Sequence, residues 1–433
     1  MLARAKNGTE QLNKQTIFAL SSGLPPAGIA VIRVSGPGAG AALAGLAGRL
    51  PQPREATLCR FRDRDGTKLD SGLAIWFPGP ASATGEDVAE FHVHGGRAVV
   101  AAMLTALAAQ DGLRNAQPGE FTRRAFENGR IDLAEAEGLA DLLAAETEGQ
   151  RQSALALAEG GLGRRVADWQ KRLLHQAALV EAELDHSDED DVAYGYTQAE
   201  VLELTEEMAS LLAAPPAERL RDGVRIVLAG PPNSGKSSLF NALIERDAAI
   251  VSAIAGTTRD RIEAPVQLDG LPLLLIDTAG LHGGSGDAIE DIGMERTGAA
   301  MDSADLILWL GPSAQRPDGA RSIQIVAKAD LGSQGDGLLV SALTGAGLDD
   351  LKREMIRRAQ SLLPKAGALA LNQRHRAIIA DVCDELAGAA RETDLLIIAE
   401  HLRASRNRLD ALTGRAGVED MLDALFGTFC IGK

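Results

Sequence analysis

Cysteine is scarce: Cys59, Cys383 and Cys430 are the only three in 433 residues, and they lie far apart with no CxxC pair. That spacing argues against a disulfide scaffold or a cysteine zinc site and points to a reducing compartment. Long hydrophobic runs are also missing, because apolar residues make up 45% of the chain yet no stretch approaches the roughly 18 to 20 residues that cross a bilayer. Arg4 and Lys6 stand near the start, but the apolar stretch at 17–20 is too short for a secretory leader. A soluble, cytoplasmic protein with no membrane partner is expected. Positive charge is in deficit, with a formal net charge of -16. Any RNA contact must therefore rest on local patches, such as Arg123 with Arg124 or Arg403 with Arg406 and Arg408, or on a partner protein. The plainer reading of those arginines is a solvated helix face. No internal repeat is present, and the acidic run at 188–191 reads as a solvated loop rather than a metal site.

What is present falls into several segments, as the length requires. Residues 1–128 read as mixed α/β, with strand-like runs at 29–34, 57–62, 73–77 and 88–93 and a helix over 97–110. From 129 to 220 the composition is rich in Ala, Leu and Glu and predicts helices, with Leu139, Leu142 and Leu143 on one face and a stop at Pro215-Pro216. Between 221 and 364 short apolar runs alternate with helical segments, the mark of a mostly parallel sheet, and 365–433 is helical again. The fold class expected is α/β plus α: one discontinuous helical domain with an α/β unit inserted into it.

The inserted unit carries the chemistry. A buried-strand pattern over 225–229 leads into Gly230-Pro231-Pro232-Asn233-Ser234-Gly235-Lys236-Ser237, which fits GxxxxGK[ST] and precedes a helical stretch beginning at Ser238. Such a loop curls backbone N–H groups around phosphate oxygens, Lys236 adds a charge at the β- and γ-phosphates, and Ser237 offers a ligand to Mg2+. A second strand over 271–276, paired through Asp269-Gly270 to 265–268, ends in Asp277-Thr278-Ala279-Gly280. That is DxxG at a strand end, where Asp277 can hold a magnesium-bound water and the Gly280 amide can sense the γ-phosphate. Between them lies Ser252-Ala253-Ile254-Ala255-Gly256-Thr257-Thr258, in which Thr258 is suited to close over magnesium. Guanine is normally chosen by NKxD; here Ala327-Lys328-Ala329-Asp330 keeps the Lys and Asp and replaces the Asn by Ala. Ser341-Ala342-Leu343 fits the last backbone contact to the base. These spacings imply GTP as substrate; an ATPase is opposed by Asp330.

Together with Gly119-Glu120-Phe121-Thr122-Arg123-Arg124 and the terminal Cys430-Ile431-Gly432-Lys433, the chain resembles, essentially end to end, the tRNA-modification GTPase family called MnmE or TrmE. The resemblance implies an N-terminal domain that binds a tetrahydrofolate derivative and dimerises, and GTPase units that meet face to face around K+ in a homodimer. Asn233, Ser252, Ile254 and Thr257 would surround the ion. Leu281 follows DTAG where small GTPases use a glutamine, and Glu290, in Glu290-Asp291-Ile292-Gly293, matches the family glutamate that positions the attacking water. The alternative for Glu290 is a helix cap. Arg33, Glu90, Arg130 and Lys433 match the family's folate contacts, with Arg130 standing where lysine is common. His92 and His94 share one strand face but lack a third metal ligand.

The family reaction attaches an aminomethyl or carboxymethylaminomethyl group to carbon five of the wobble uridine of certain tRNAs, with a flavoprotein partner, MnmG or GidA, in a heterotetramer or larger assembly. Cys430 in the tail has two readings, a small buried hydrophobe or a thiol at the modification site. A different class of function, a ribosome-assembly or regulatory RNA-binding GTPase, fits the nucleotide motifs equally well but lacks any KH-like or zinc RNA-binding signature.

Overall fold

The computed structural model describes residues 15–185, 197–247, 263–278, 298–365, 367–414, 422, 425–427 and 429–432. The acidic run at 188–191 lies outside them. The chain divides into two compact units, 1–140 with 410–433, and 141–409.

In the first unit six strands form one sheet: β1 (Thr16–Leu20), β2 (Ile29–Ser35), β3 (Thr57–Arg62), β4 (Lys68–Phe77), β5 (Val88–His94) and β6 (Leu113–Asn115), in the order β3-β4-β5-β2-β1-β6. All neighbours are antiparallel except β1 with β6. Period-two alternation sends Ala30, Ile32 and Val34 of β2 and Ala89, Phe91 and Val93 of β5 into a core with α1 (Ala39–Ala47) and α2 (Arg97–Ala108). Phe61 meets Phe91 edge to face at 5.4 Å. Arg33, Glu90 and His92 consequently point to the opposite face. The apolar run at 17–20, too short for a leader, belongs to β1, which is buried and paired on both sides by β2 and β6. α3 (Glu120–Glu127) follows, and α4 (Leu133–Ala144) buries Leu133 and Ala136 against Leu422, Phe426 and Phe429. Of the leucine face expected on α4, Leu139 packs against this cluster, Leu142 is half-buried and Leu143 is 43% exposed.

The second unit holds α5 (Glu148–Ala158), α6 (Gly161–Asp185), α7 (Gln198–Leu212), α8 (Glu218–Arg221), α9 (Lys236–Asp247), α10 (Leu348–Leu362), α11 (Gln373–Ala389) and most of α12 (Leu395–Thr413). Thr147 and Gln150 close a capping box on α5, and Gln150 Nε2 donates to the Leu220 carbonyl just ahead of the sheet. That sheet comprises β7 (Val224–Ala229), β8 (Glu263–Leu268), β9 (Leu271–Asp277), β10 (Leu306–Trp309), β11 (Ser322–Ala327) and β12 (Leu338–Val340), ordered β12-β11-β10-β7-β9-β8. It is parallel throughout except for the β8–β9 hairpin. Asp269 and Gly270 take φ of 50° and 77° at that hairpin, the two positive values a type I′ turn requires. α9 and α10 cover one face with Leu239, Phe240, Leu351 and Met355, while Ala300, Met301 and Ala304 cover the other. Among the described residues no helix is long and apolar enough to cross a membrane.

Candidate functional site

Parallel strands deliver their C-terminal ends to one edge, and the nucleotide motifs arrive there together. β7 ends at Ala229 and the loop 230–235 turns into α9 through Gly230 at φ 149°, Asn233 at φ 60° and Gly235 at φ 99°. Lys236 is 6% exposed, and its Nζ donates to the carbonyls of Gly230 and Pro231, each at 2.9 Å. Burial pushes the Lys236 ammonium below the usual lysine range, and the nearby Asp277 carboxylate opposes that shift. Ser234 Oγ is buried in the loop with no hydrogen-bond partner among the described residues, an atom suited to a phosphate oxygen. Ser237 and Ser238 are exposed at the start of α9. Asp277 is 4% exposed at the end of β9, and buried Thr278 donates to the Leu228 carbonyl at 2.8 Å, tying DxxG to β7. Ser237 and Asp277 supply oxygen donors of the kind a magnesium ion takes.

The residues expected to read the base follow β11 and β12. Lys328 takes φ 59° and reaches across to the Asn233 carbonyl at 3.1 Å. Asp330 Oδ1 accepts from Ser341 Oγ at 2.5 Å, a side-chain contact that the sequence reading, which assigned Ser341 a backbone role, missed. Ser341 is fully buried, Ala342 packs against the core, and Leu343 is 83% exposed. Ser252, Ala253, Ile254, Ala255, Gly256, Thr257, Thr258, Ala279, Gly280, Glu290 and Lys433 lie outside the described residues.

A second cluster forms on the face of the N-terminal sheet opposite its main core, where Phe121 of α3 also packs against Ile17 and Ala19. Register pairs Arg33 with Glu90, and Arg33 Nε and Nη2 both donate to Glu90 Oε1, at 3.0 and 2.9 Å. Arg33 also lies over the Phe121 ring at 5.9 Å. Glu90 Oε2 is 3.2 Å from His92 Nε2, and His94 Nδ1 is 2.9 Å from Asp70. No metal-ligating group of three or more exists among the described residues. Arg130 is exposed; its stem packs near Gly85, in a loop that Asn128 anchors by donating to the Thr84 carbonyl at 2.8 Å. The tail arrives from the far end of the chain: Ser21 Oγ donates to the Gly432 carbonyl at 2.8 Å, and Ile431 bridges Pro118. Cys430 is exposed beside it, against the reading of a buried hydrophobe.

The pair Arg123 and Arg124 is neither a basic patch nor a solvated face. Arg124 is 2% exposed and donates to Glu86 at 3.0 Å, to Glu120 at 3.0 Å and to the Gln15 carbonyl at 2.9 Å; Arg123 pairs with Glu127 one helical turn on. The Glu120–Arg124 spacing of four was readable in sequence, but the two other partners come from distant segments.

A family model described as the GTP-binding protein TrmE N-terminus matches residues 16–130, and one described as the MnmE helical domain matches residues 133–430. The chain is similar to a tRNA modification GTPase MnmE of Novosphingobium aromaticivorans, 55% identical over 434 residues that cover 96% of this chain and 99% of that one. A protein of the same name from Rhizorhabdus wittichii is 57% identical, covering 96% of each chain. Among solved structures, the FeoB G-domain of Methanococcus jannaschii aligns with 32% of this chain and 98% of its own at 21% identity, with a TM-score of 0.24, a likeness too slight to build on. Matched along nearly its whole length by the family's models and by its members, the chain belongs to the MnmE family, also called TrmE.

Proposed function

We propose that this chain is a potassium-activated GTPase that, with a flavoprotein partner of the MnmG or GidA kind, adds an aminomethyl or carboxymethylaminomethyl group at carbon five of the wobble uridine of certain tRNAs. The carrying observation is the convergence of Lys236, Asp277 and Asp330 on one sheet edge, in a chain whose relatives are named tRNA modification GTPases. In this reading residues 221–364 form the GTPase domain, inserted in a helical domain of 129–220 and 365–433, and 1–128 form the folate-binding and dimerising domain. Lys236 and the loop amides bind the phosphates, Ser237, Thr258 and Asp277 hold Mg2+ directly or through water, and Asp330 reads guanine. A bound Mg2+ neutralises charge that builds on the phosphates. Asn233, Ser252, Ile254 and Thr257 hold K+, whose charge takes the place of an arginine finger. Glu290 positions the attacking water. Arg33, Glu90, Arg130 and Lys433 bind the tetrahydrofolate one-carbon donor, and Cys430 assists at that site. The assembly is a homodimer joined by the flavoprotein, and tRNA is the acceptor.

Single-turnover hydrolysis tests the GTPase part. Hydrolysis is expected to be faster in potassium than in sodium at equal ionic strength, and Glu290→Ala is expected to slow it on the order of a hundredfold with GTP affinity nearly unchanged, because water positioning acts in the transition state. An unchanged rate would return Glu290 to the helix-cap reading. Folate binding by the full chain, with loss on Glu90→Ala, tests the second site.

A further inference from the structure

The geometry points to a binding surface for an RNA phosphate backbone at the end of the GTPase sheet away from the nucleotide, formed by Arg316, Arg353, Arg357 and Arg358. It rests on the tRNA reading above. Arg316 leads toward the start of β11 and the other three lie on α10; together they line one cavity of about 600 Å³ floored by Ile323 and Leu338. Arg316 Nη2 and Arg358 Nη1 both donate to the Ser322 carbonyl, at 2.5 and 3.0 Å, and both reach the Gly319 carbonyl at 3.3 Å. Two guanidinium groups are thus held side by side by shared carbonyl oxygens. Carbonyls orient a cation but carry no countercharge, so the repulsion between the two remains. Glu354 is the nearby carboxylate, and it is divided between Arg358 at 2.7 Å and Arg357 at 2.7 and 2.8 Å; Arg353 pairs with Asp350. Among the described residues, these four arginines therefore form ion pairs with two carboxylates.

Among the described residues Arg321 and Arg376 also donate to carbonyls alone, but each stands singly, and the excess contrasts with other clustered arginine sites. Arg172 faces Glu200, Glu203 and Glu207, Arg403 is matched by Glu400, and Arg124 is flanked by Glu86 and Glu120. A chain of net charge -16 has little general attraction for a polyanion, so a local surplus of guanidinium groups, two of them pre-oriented and two exposed at 76% and 67%, is where phosphates gain most. Neighbouring forks suit successive phosphates of one backbone better than a single ion. The surface is also separate from hydrolysis: β11 starts here at Ser322 and delivers Lys328 and Asp330 at its other end, its six residues spanning roughly 20 Å.

The test uses full-length protein with Arg353→Gln/Arg357→Gln and, separately, Arg353→Glu/Arg357→Glu. Both side chains are exposed, and Glu354 keeps Arg358 as partner in each variant. Binding of a fluorescently labelled unmodified tRNA transcript is followed by anisotropy across a salt series, with GTP hydrolysis measured on the same samples. Losing two phosphate contacts is expected to weaken binding about thirtyfold near 150 mM salt and to lower the log–log salt slope by about 2, more strongly for the glutamates, with hydrolysis unchanged. Wild-type affinity and slope in both variants overturn the assignment, as does wild-type protein with no salt-dependent tRNA binding, or hydrolysis falling in step with binding. A polyglutamate peptide that binds wild type as tightly as tRNA does and is lost in the same variants would make this an acidic-protein site instead. The tRNA-modification reading fails by a different result, wild-type protein and flavoprotein leaving tRNA unmodified.

Discussion

Asp330 is braced by Ser341 through one carboxylate oxygen, which leaves the other free to face a base; Ala327, where an asparagine is usual, has its Cβ close enough to Gly235 that a Cβ added there would lie 3.5 Å away. The two positions separate base choice from loop rigidity. Asp330→Asn presents a donor where guanine needs a second acceptor, and the preference for GTP over ATP is expected to fall at least about a hundredfold. Ala327→Asn puts an amide beside the phosphate loop and is expected to tighten GTP binding without changing preference. Competition of ATP and GTP against a fluorescent guanine nucleotide reads both, and equal preference in wild type and Asp330→Asn would remove Asp330 from the base site. At this scale the nucleotide motifs stand out in the sequence because each is contiguous: phosphate geometry needs glycines and a lysine within eight residues. The Ser341 hydroxyl contact was not legible, since a side-chain rotamer across two loops leaves no spacing signal.

The helix α3 shows what a short element owes to its surroundings. Glu120, in its first turn, accepts from Arg114 Nη1 at 2.8 Å and Nη2 at 2.5 Å, from the Gln117 amide at 2.9 Å and from Arg124 at 3.0 Å. Burial works to raise the Glu120 pKa, but hydrogen bonds from Arg114 and Gln117 and the charges of Arg114 and Arg124 outweigh it and hold the carboxyl below its ordinary 4.5. With the folded value depressed, Glu120 stabilises the unit fully above pH 4.5, and this is lost as pH falls through the folded value. Melting followed from pH 7 to 3 should therefore drop steeply in its acid limb, with a shallower slope in Glu120→Gln. Arg124→Met leaves Glu86 and Glu120 without their shared cation and is expected to cost about 3 kcal/mol, measured by urea unfolding at neutral pH. A loss under about 1 kcal/mol would mean the network is solvated in solution.

At the scale of the whole molecule, Leu20 and Ser21 meet Gly432 from the far side of the sequence, and the contact is tight. Gly432 sits at φ 102°, and a Cβ there would lie 2.1 Å from the Leu20 carbonyl oxygen, so only glycine lets the tail take this path. Gly432→Ala should displace the tail and lower tRNA modification as much as Cys430→Ser does, with both variants hydrolysing GTP at the wild-type rate; purified protein with the flavoprotein partner would be assayed for both activities. Full modification by Gly432→Ala would mean that docking is dispensable, and full modification by well-folded Cys430→Ser would remove the thiol from the site.

What the sequence by itself determined is the set of local patterns: the strand–loop–helix around Lys236, the Asp269-Gly270 turn, the alternation that yields β2, β3 and β5, and the parallel character of the GTPase sheet. Each is dictated by residues within about a turn or a strand of one another. Tertiary structure alone decided the rest. The runs at 17–20 and Leu306–Trp309 are short, uniformly apolar and without a period of their own, and they become strands because flanking strands complete their hydrogen bonds. Arg124 reads as a surface helix residue until Gln15 and Glu86 close over it, and the surplus of arginines around Ser322 exists only because α10 folds back beside β11 and β12. Pairings of that kind depend on which surfaces fit after the chain has closed on itself, a condition that no spacing within a single segment records.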